Sequence, residues 1–228
     1  MTPLLLVFVV ACDGPSVDDR ALWDVSFQLT YASVASIGPH HVEATAVHER
    51  GGDRPRKRTE VFDVRWGNWD NFQVRRSRDG KLLMEHRVIQ GMPFGRSGRS
   101  DFRPSSDAEL FRVELSQTWN SFGLALEPFQ WQLDADPDGE TVVEGRPARR
   151  YTLKLRPLGE GERDRGHVPV SLEGTVVLDA ATGVRLLVEA EGRYLEQGRE
   201  DREWTTRYRL IRSGFGVPPD LLKPEVPE

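Results

Sequence analysis

The densest run of cations in the chain is Arg54, Arg56, Lys57 and Arg58, set in a turn that opens with Gly51-Gly52. Guanidinium and ammonium groups packed this closely are chemistry for anions. Beside a membrane each contributes about 1 kcal/mol of attraction to anionic head groups; away from one they make a solvated hairpin tip. Arg75, Arg76 and Arg78 stand on a following segment that reads as its neighbour, and Trp66 and Trp69 are candidates for the same rim or for ordinary core packing. Asp134-Ala-Asp-Pro-Asp-Gly139 opens like a calcium loop. A proline interrupts it, however, and Gly145 stands where a bidentate glutamate would close the coordination, so turn chemistry accounts for it. His40-His41 has no carboxylate or further histidine at ligand spacing, so neither a metal nor another cofactor is expected. No serine sits in a nucleophile elbow, and there is no HExxH and no phosphate loop. Carboxylates are plentiful on strand faces, but without an apolar pocket to raise a pKa they solubilise rather than catalyse. The expectation is a protein that is not an enzyme.

The formal charge of -5, with 29% charged residues, argues against nucleic acid as a partner, because phosphate binding needs a net basic footprint. The single cysteine, Cys12, excludes a disulfide framework. It closes a short apolar run, Leu4-Leu-Leu-Val-Phe-Val-Val-Ala-Cys12, too short to span a bilayer and followed at once by Asp13-Gly-Pro-Ser16. Val9-Val-Ala-Cys12 resembles the bacterial lipobox, which implies a signal peptide over 1–11, a mature chain starting at an acylated Cys12, and a lipidated tether over 12–20. The other reading is a buried N-terminal strand. A single domain then covers 21–217, ahead of a proline-rich tail over 218–228.

Most of the domain has strand periodicity. Trp23, Val25, Phe27, Leu29 and Tyr31 alternate with polar residues, as do Val42, Ala44 and Ala46, then Phe62, Val64 and Trp66, and later Val184, Leu186, Val188 and Ala190. Arg78-Asp-Gly80 and Asp179-Ala-Ala-Thr-Gly183 read as hairpin turns, and so does Asp136-Pro-Asp-Gly139; Gly91 to Ser100, with three glycines, reads as a mobile loop. The period changes once. Ser106-Asp-Ala-Glu109 has capping-box spacing, and Phe111, Leu115, Trp119 and Phe122 share a helical face until Pro128, so one helix is expected over 106–126. The fold class is mainly β: an open, strongly curved antiparallel sheet of about ten or eleven strands, an unclosed β-barrel interrupted by that helix.

Val143-Glu-Gly-Arg-Pro-Ala-Arg-Arg-Tyr-Thr-Leu153, the hairpin from Gly174 to Gly183, and Tyr208-Arg-Leu-Ile211 followed by Gly214-Phe-Gly216 resemble the LolA/LolB and LppX-type group of bacterial envelope proteins. That group also has a helix near the mature N-terminus, where this sequence reads as a strand. The resemblance implies an apolar sheet face that binds acyl chains of lipids or lipoproteins, an envelope location at the periplasmic side or outer membrane, a membrane anchor, and a possible envelope protein partner. The candidate cavity residues are Phe111, Leu115, Trp119, Phe122, Leu186 and Val188; the candidate head-group contacts are Arg54, Arg56, Lys57 and Arg58. The alternative is a structural or protein-interaction lipoprotein whose barrel is filled by its own side chains.

Overall fold

The structure is a computed structural model that describes residues 18–28, 31–52, 54–105, 108–119, 121–158 and 166–225. Two short helices, α1 (Asp19–Val25) and α2 (Tyr31–Ser36), precede β1 (His40–Arg50), β2 (Arg56–Asn68), β3 (Asn71–Arg78), β4 (Lys81–Ile89), β5 (Met92–Ser97) and β6 (Arg103–Pro104). Then come α3 (Ala108–Trp119), α4 (Ser121–Ala125) and a 3-10 turn, Glu127–Phe129. The chain continues through β7 (Leu133–Val143), β8 (Arg146–Leu155), β9 (His167–Asp179), β10 (Arg185–Glu196) and β11 (Arg199–Ser213).

These strands form one 11-stranded antiparallel sheet in the order β6-β5-β4-β3-β2-β1-β11-β10-β9-β8-β7. Two meanders are therefore joined where the first strand meets the last, with Ala44 opposite Leu210 and Ala46 opposite Tyr208. The sheet ends on β6 and β7, which do not pair among the described residues, so it is the open sheet expected, and only the label β-barrel is corrected, because the sheet does not close. Alternation sends Val42, Ala44, Phe62, Val64, Val74, Val176, Val188 and Leu210 to the face that the helices cover, and there they make one continuous core with Phe111, Leu115, Phe122 and Phe129. We call this the inner face.

Four local readings change. The segment expected as a strand from residue 23 carries α1, with Asp18 accepting a hydrogen bond from the Arg20 backbone N–H at 2.9 Å as its cap. Trp23 and Phe27 satisfy both periods, being separated by two strand repeats and by one helical turn; their rings meet edge-on at 5.1 Å, while Val25, inward in a strand, is exposed. A helix thus stands ahead of β1 where the sequence read as a strand. The glycine-rich loop contains β5, paired along β4, and Gly95 sits where a Cβ would stand 3.4 Å from the Phe111 ring, so its glycine suits close packing rather than mobility. Asp136 to Gly139 is not a hairpin but a bulge inside edge strand β7, between the pairs Pro137–Tyr151 and Glu140–Arg149. The single helix is two, α3 and α4, followed by the 3-10 turn that holds Pro128. Ser106 and Asp107 of the expected capping box lie outside the described residues.

The Asp179–Gly183 turn forms as read. Asp179 Oδ1 accepts from the backbone N–H groups of Ala181 (3.2 Å) and Thr182 (2.9 Å) and from the Thr182 hydroxyl (2.8 Å), and Asp179 Oδ2 accepts from Arg146 Nε at 2.8 Å.

Candidate functional site

Five of the six candidate cavity residues meet. Phe111, Leu115, Trp119, Phe122 and Val188 are all buried in the inner-face core, with Leu115 and Val188 at 0% exposure. They are packed together rather than spread around an open space. The sixth, Leu186, lies in a separate cluster with Ala148 and Val177. A register shift between Arg185 and Leu187 is the reason: it puts Arg185 inward, against the Phe122 ring, and sends Leu186 to the other side.

An open cavity of about 680 Å³ lies elsewhere, where the last residues of β1 and β10 and the first of β2, β9 and β11 pass beneath α4 and the 3-10 turn. Leu124, Pro128, Tyr194 and Trp204 give it apolar walls, and Arg56, Lys57 and Arg58 line it on the β2 side. Three of the four head-group candidates therefore border one cleft. Arg54 contributes instead through its carbonyl, which accepts from the Arg50 guanidinium at 2.7 Å. The cations are not equal: Lys57 pairs with Glu49 at 2.6 Å and Arg58 with Glu60 at 3.4 Å, while no carboxylate among the described residues pairs with Arg56. Glu60 also takes Arg76 (2.8 Å) and Arg78 (2.9 Å), so much of the local positive charge is already matched; burial works against its ionised form, yet the three guanidiniums hold its pKa below the usual carboxylate range.

The cleft exists because of what glycine permits at position 192. A Cβ there would lie 2.4 Å from Phe129, so only a bare backbone lets the buried Phe129 seat the 3-10 turn on β10. Tyr194 then stacks parallel to Trp204 at 6.4 Å and meets the His167 ring edge-on at 4.9 Å. Burial pushes the Tyr194 phenol up to about 12, so it is a neutral wall at any physiological pH. Sequence reading missed Leu124, Tyr194 and Trp204. Their signal, aromatic residues at strand ends, is also that of core packing. Trp66 shows the bland outcome: it is buried between Trp69 (4.9 Å) and Trp119 (5.1 Å), near the end of β2 opposite the cations.

On the outer face, β1–β2 pairing brings Asp63 opposite Glu43 and beside His41, a grouping the linear sequence conceals. These three side chains have donor atoms within 4.8 Å of one another and could meet at one cation. His41 Nε2 already lies 2.9 Å from Asp63 Oδ2, and that hydrogen bond raises the imidazole pKa, so an ordinary histidine–carboxylate pair explains the cluster. Cys12 lies outside the described residues, and among those described no helix is long and apolar enough to cross a membrane.

No protein-family profile matches the sequence, and no characterised protein matches it closely enough to count. Among solved structures the chain is similar to the lipoprotein LppX of Mycobacterium tuberculosis, at 16% identity over 89% of this chain and 99% of that one, with a TM-score of 0.34. It is also similar to the MucA/MucB complex of Pseudomonas aeruginosa, at 20% identity and a TM-score of 0.30, over 86% of this chain and 58% of that one. A LolA superfamily protein of Nitrosomonas europaea gives 8% identity and a TM-score of 0.24, with 89% and 96% covered. The chain spans less than two thirds of the matched MucA/MucB chain, and each of these likenesses is distant.

Proposed function

We propose that this chain is a bacterial envelope protein, tethered through an acylated Cys12, that binds an acyl-chain-bearing ligand without covalent chemistry. The observation that carries the reading is the cleft of about 680 Å³, in which Leu124, Pro128, Tyr194 and Trp204 stand beside Arg56, Lys57 and Arg58. Apolar walls with cations on one side suit an amphiphile with an anionic head, and the volume falls within the roughly 300–1,000 Å³ of small-molecule sites. The test is native mass spectrometry of the protein purified from membranes: a co-purified lipid, lost on Trp204→Ala, supports the reading. Protein that is uniformly lipid-free and fails to displace a fluorescent fatty acid defeats it.

A second reading, a structural or protein-interaction lipoprotein, draws on a different observation. The candidate cavity residues on the inner face are closed into one core, so that face is filled by the chain's own side chains. In that case the lipid assays are silent, and cross-linking in the envelope captures a protein partner.

A further inference from the structure

At the end of β10 away from the cleft, Arg185 and Arg212 are buried on the inner face, at 3% and 2% exposure. Tyr194, in the cleft wall, is nine residues further along β10, about 30 Å at the usual strand rise. Among the described residues no carboxylate pairs with either guanidinium, and Arg185 Nε has no hydrogen-bond partner. Arg185 is held instead by aromatic faces, its Cζ 4.4 Å from the Phe122 ring centroid and 5.1 Å from that of Phe27. Arg212 Nε donates to the Arg185 carbonyl at 3.0 Å, and Arg212 Nη1 lies 2.5 Å from His40 Nε2. His40 keeps its Nδ1 hydrogen on the Gly38 carbonyl at 2.8 Å, which makes Nε2 an acceptor and the ring neutral. Burial lowers both arginines, Arg185 to about 10 and Arg212 to about 9, so both remain cations at neutral pH, and Arg185 opposes the charge on Arg212.

The contrast with the rest of the protein gives this pair its meaning. Arg76 and Arg78 share Glu60, and Arg87 and Arg96 share Glu85, as the cost of withdrawing charge from water requires. There the carboxylates are the buried partners and the arginines keep 22–41% of their side chains exposed, whereas Arg185 and Arg212 are themselves buried and no carboxylate among the described residues pairs with them. Within electrostatic reach of both, the Tyr208 phenol stays protonated, and when Ser121 donates the 2.7 Å bond between the two hydroxyls, the Tyr208 O–H is left as a further donor. We propose that Arg185, Arg212 and the Tyr208 hydroxyl bind an oxyanion, a carboxylate or a phosphate, beneath α4. With Arg212 Nε and Nη1 already engaged, Arg185 supplies the guanidinium fork that matches the planar or tetrahedral oxygens of such groups, and Arg212 adds its charge. Phe27, 46% exposed, is the ring between Arg185 and the surface, so its movement admits the anion and lays any attached chain against Phe27 and Val25. The site stands independently of the cleft.

The test reads the site itself. In the ¹⁵N-labelled full chain, the Arg185 Nε–Hε NMR signal is assigned by its loss in Arg185→Lys, or by its selective displacement in Phe27→Leu should the lysine variant not fold. Sodium phosphate, sodium dodecanoate, dodecanol and sodium chloride are then titrated separately. A saturable shift with phosphate or dodecanoate, absent with dodecanol and chloride, is expected. A response to phosphate assigns a free ion, and a response to dodecanoate alone assigns the head of an amphiphile. The cleft variant Leu124→Ser should leave the response unchanged, whereas Arg212→Met should weaken it at least tenfold. A signal that no anion moves, or that moves equally with dodecanol, overturns the site.

Discussion

The hydroxyls of Ser121 and Tyr208 lie 2.7 Å apart in the core and tie α4 to β11. Both residues are almost completely buried, so either group left alone loses a partner that water cannot replace. Tyr208→Phe and Ser121→Ala should each cost about 1–3 kcal/mol, and the double variant should cost less than their sum. Denaturant melts of the four proteins give the coupling directly; strictly additive losses would mean the bond contributes nothing.

Leu115 has no exposed surface and sits among Phe111, Trp119 and the β2–β3 strands, so its truncation removes packing that nothing else supplies. Leu115→Ala should destabilise by about 2–5 kcal/mol. Fatty-acid displacement by the folded variant should be unchanged, because the cleft is lined by other residues. The reverse pattern, a small loss of stability with impaired displacement, would identify the inner face as the ligand cavity.

The cation run predicts an ordered hierarchy. Replacing Arg54, Arg56, Lys57 and Arg58 together with Ser should weaken binding to anionic vesicles at low salt and leave neutral vesicles unaffected. Because Lys57 and Arg58 already face Glu49 and Glu60, Arg56→Ser alone should account for more of the effect than Lys57→Ser alone. Vesicle flotation across a salt series measures both; equal binding by all variants returns the loop to a solvated hairpin tip.

His40 makes stability depend on pH. Burial, and then the nearby charge of Arg212, pushes its pKa down to about 3 from the ordinary 6.5, so below 6.5 the unfolded chain takes up a proton that the native chain refuses. Its contribution is fully present above pH 6.5 and is lost as pH falls towards 3, with a slope approaching about 1.4 kcal/mol per pH unit. His48 and His86, lowered by burial, act in the same direction; His41, raised by its bond to Asp63, acts in the opposite one. Melts of His40→Gln should show a shallower decline between pH 6 and 4 (about two units within the window) than the parent. Parallel curves would exclude His40 as the source.

Cys12→Ser tests the anchor. The variant should stay out of the membrane fraction after a high-salt wash, while metabolic labelling with a fatty acid should mark the parent alone. Retention of the unlabelled variant in the membrane pellet would contradict the tether.

Strand periodicity, turn chemistry and one change of period carried most of the architecture. Alternation in β1, β2, β10 and β11 is legible because each strand buries one face only, so burial prints a period of two on the sequence. Asp179 to Gly183 declared its turn because its own side chains supply the bonds. Where local patterns were degenerate, tertiary packing decided. Trp23 and Phe27 fit a strand or a helix equally, and only burial of Leu22 and Trp23 against the sheet selected α1. A single register shift reversed the faces of Arg185 and Leu186, which no alternation rule anticipates. The cleft and the buried arginine pair join strand ends far apart in sequence, from His48 to Trp204 and from His40 to Arg212. Those distances are set by the β1–β11 closure of two meanders, a pairing that depends on burying a shared core and leaves no mark on any one segment.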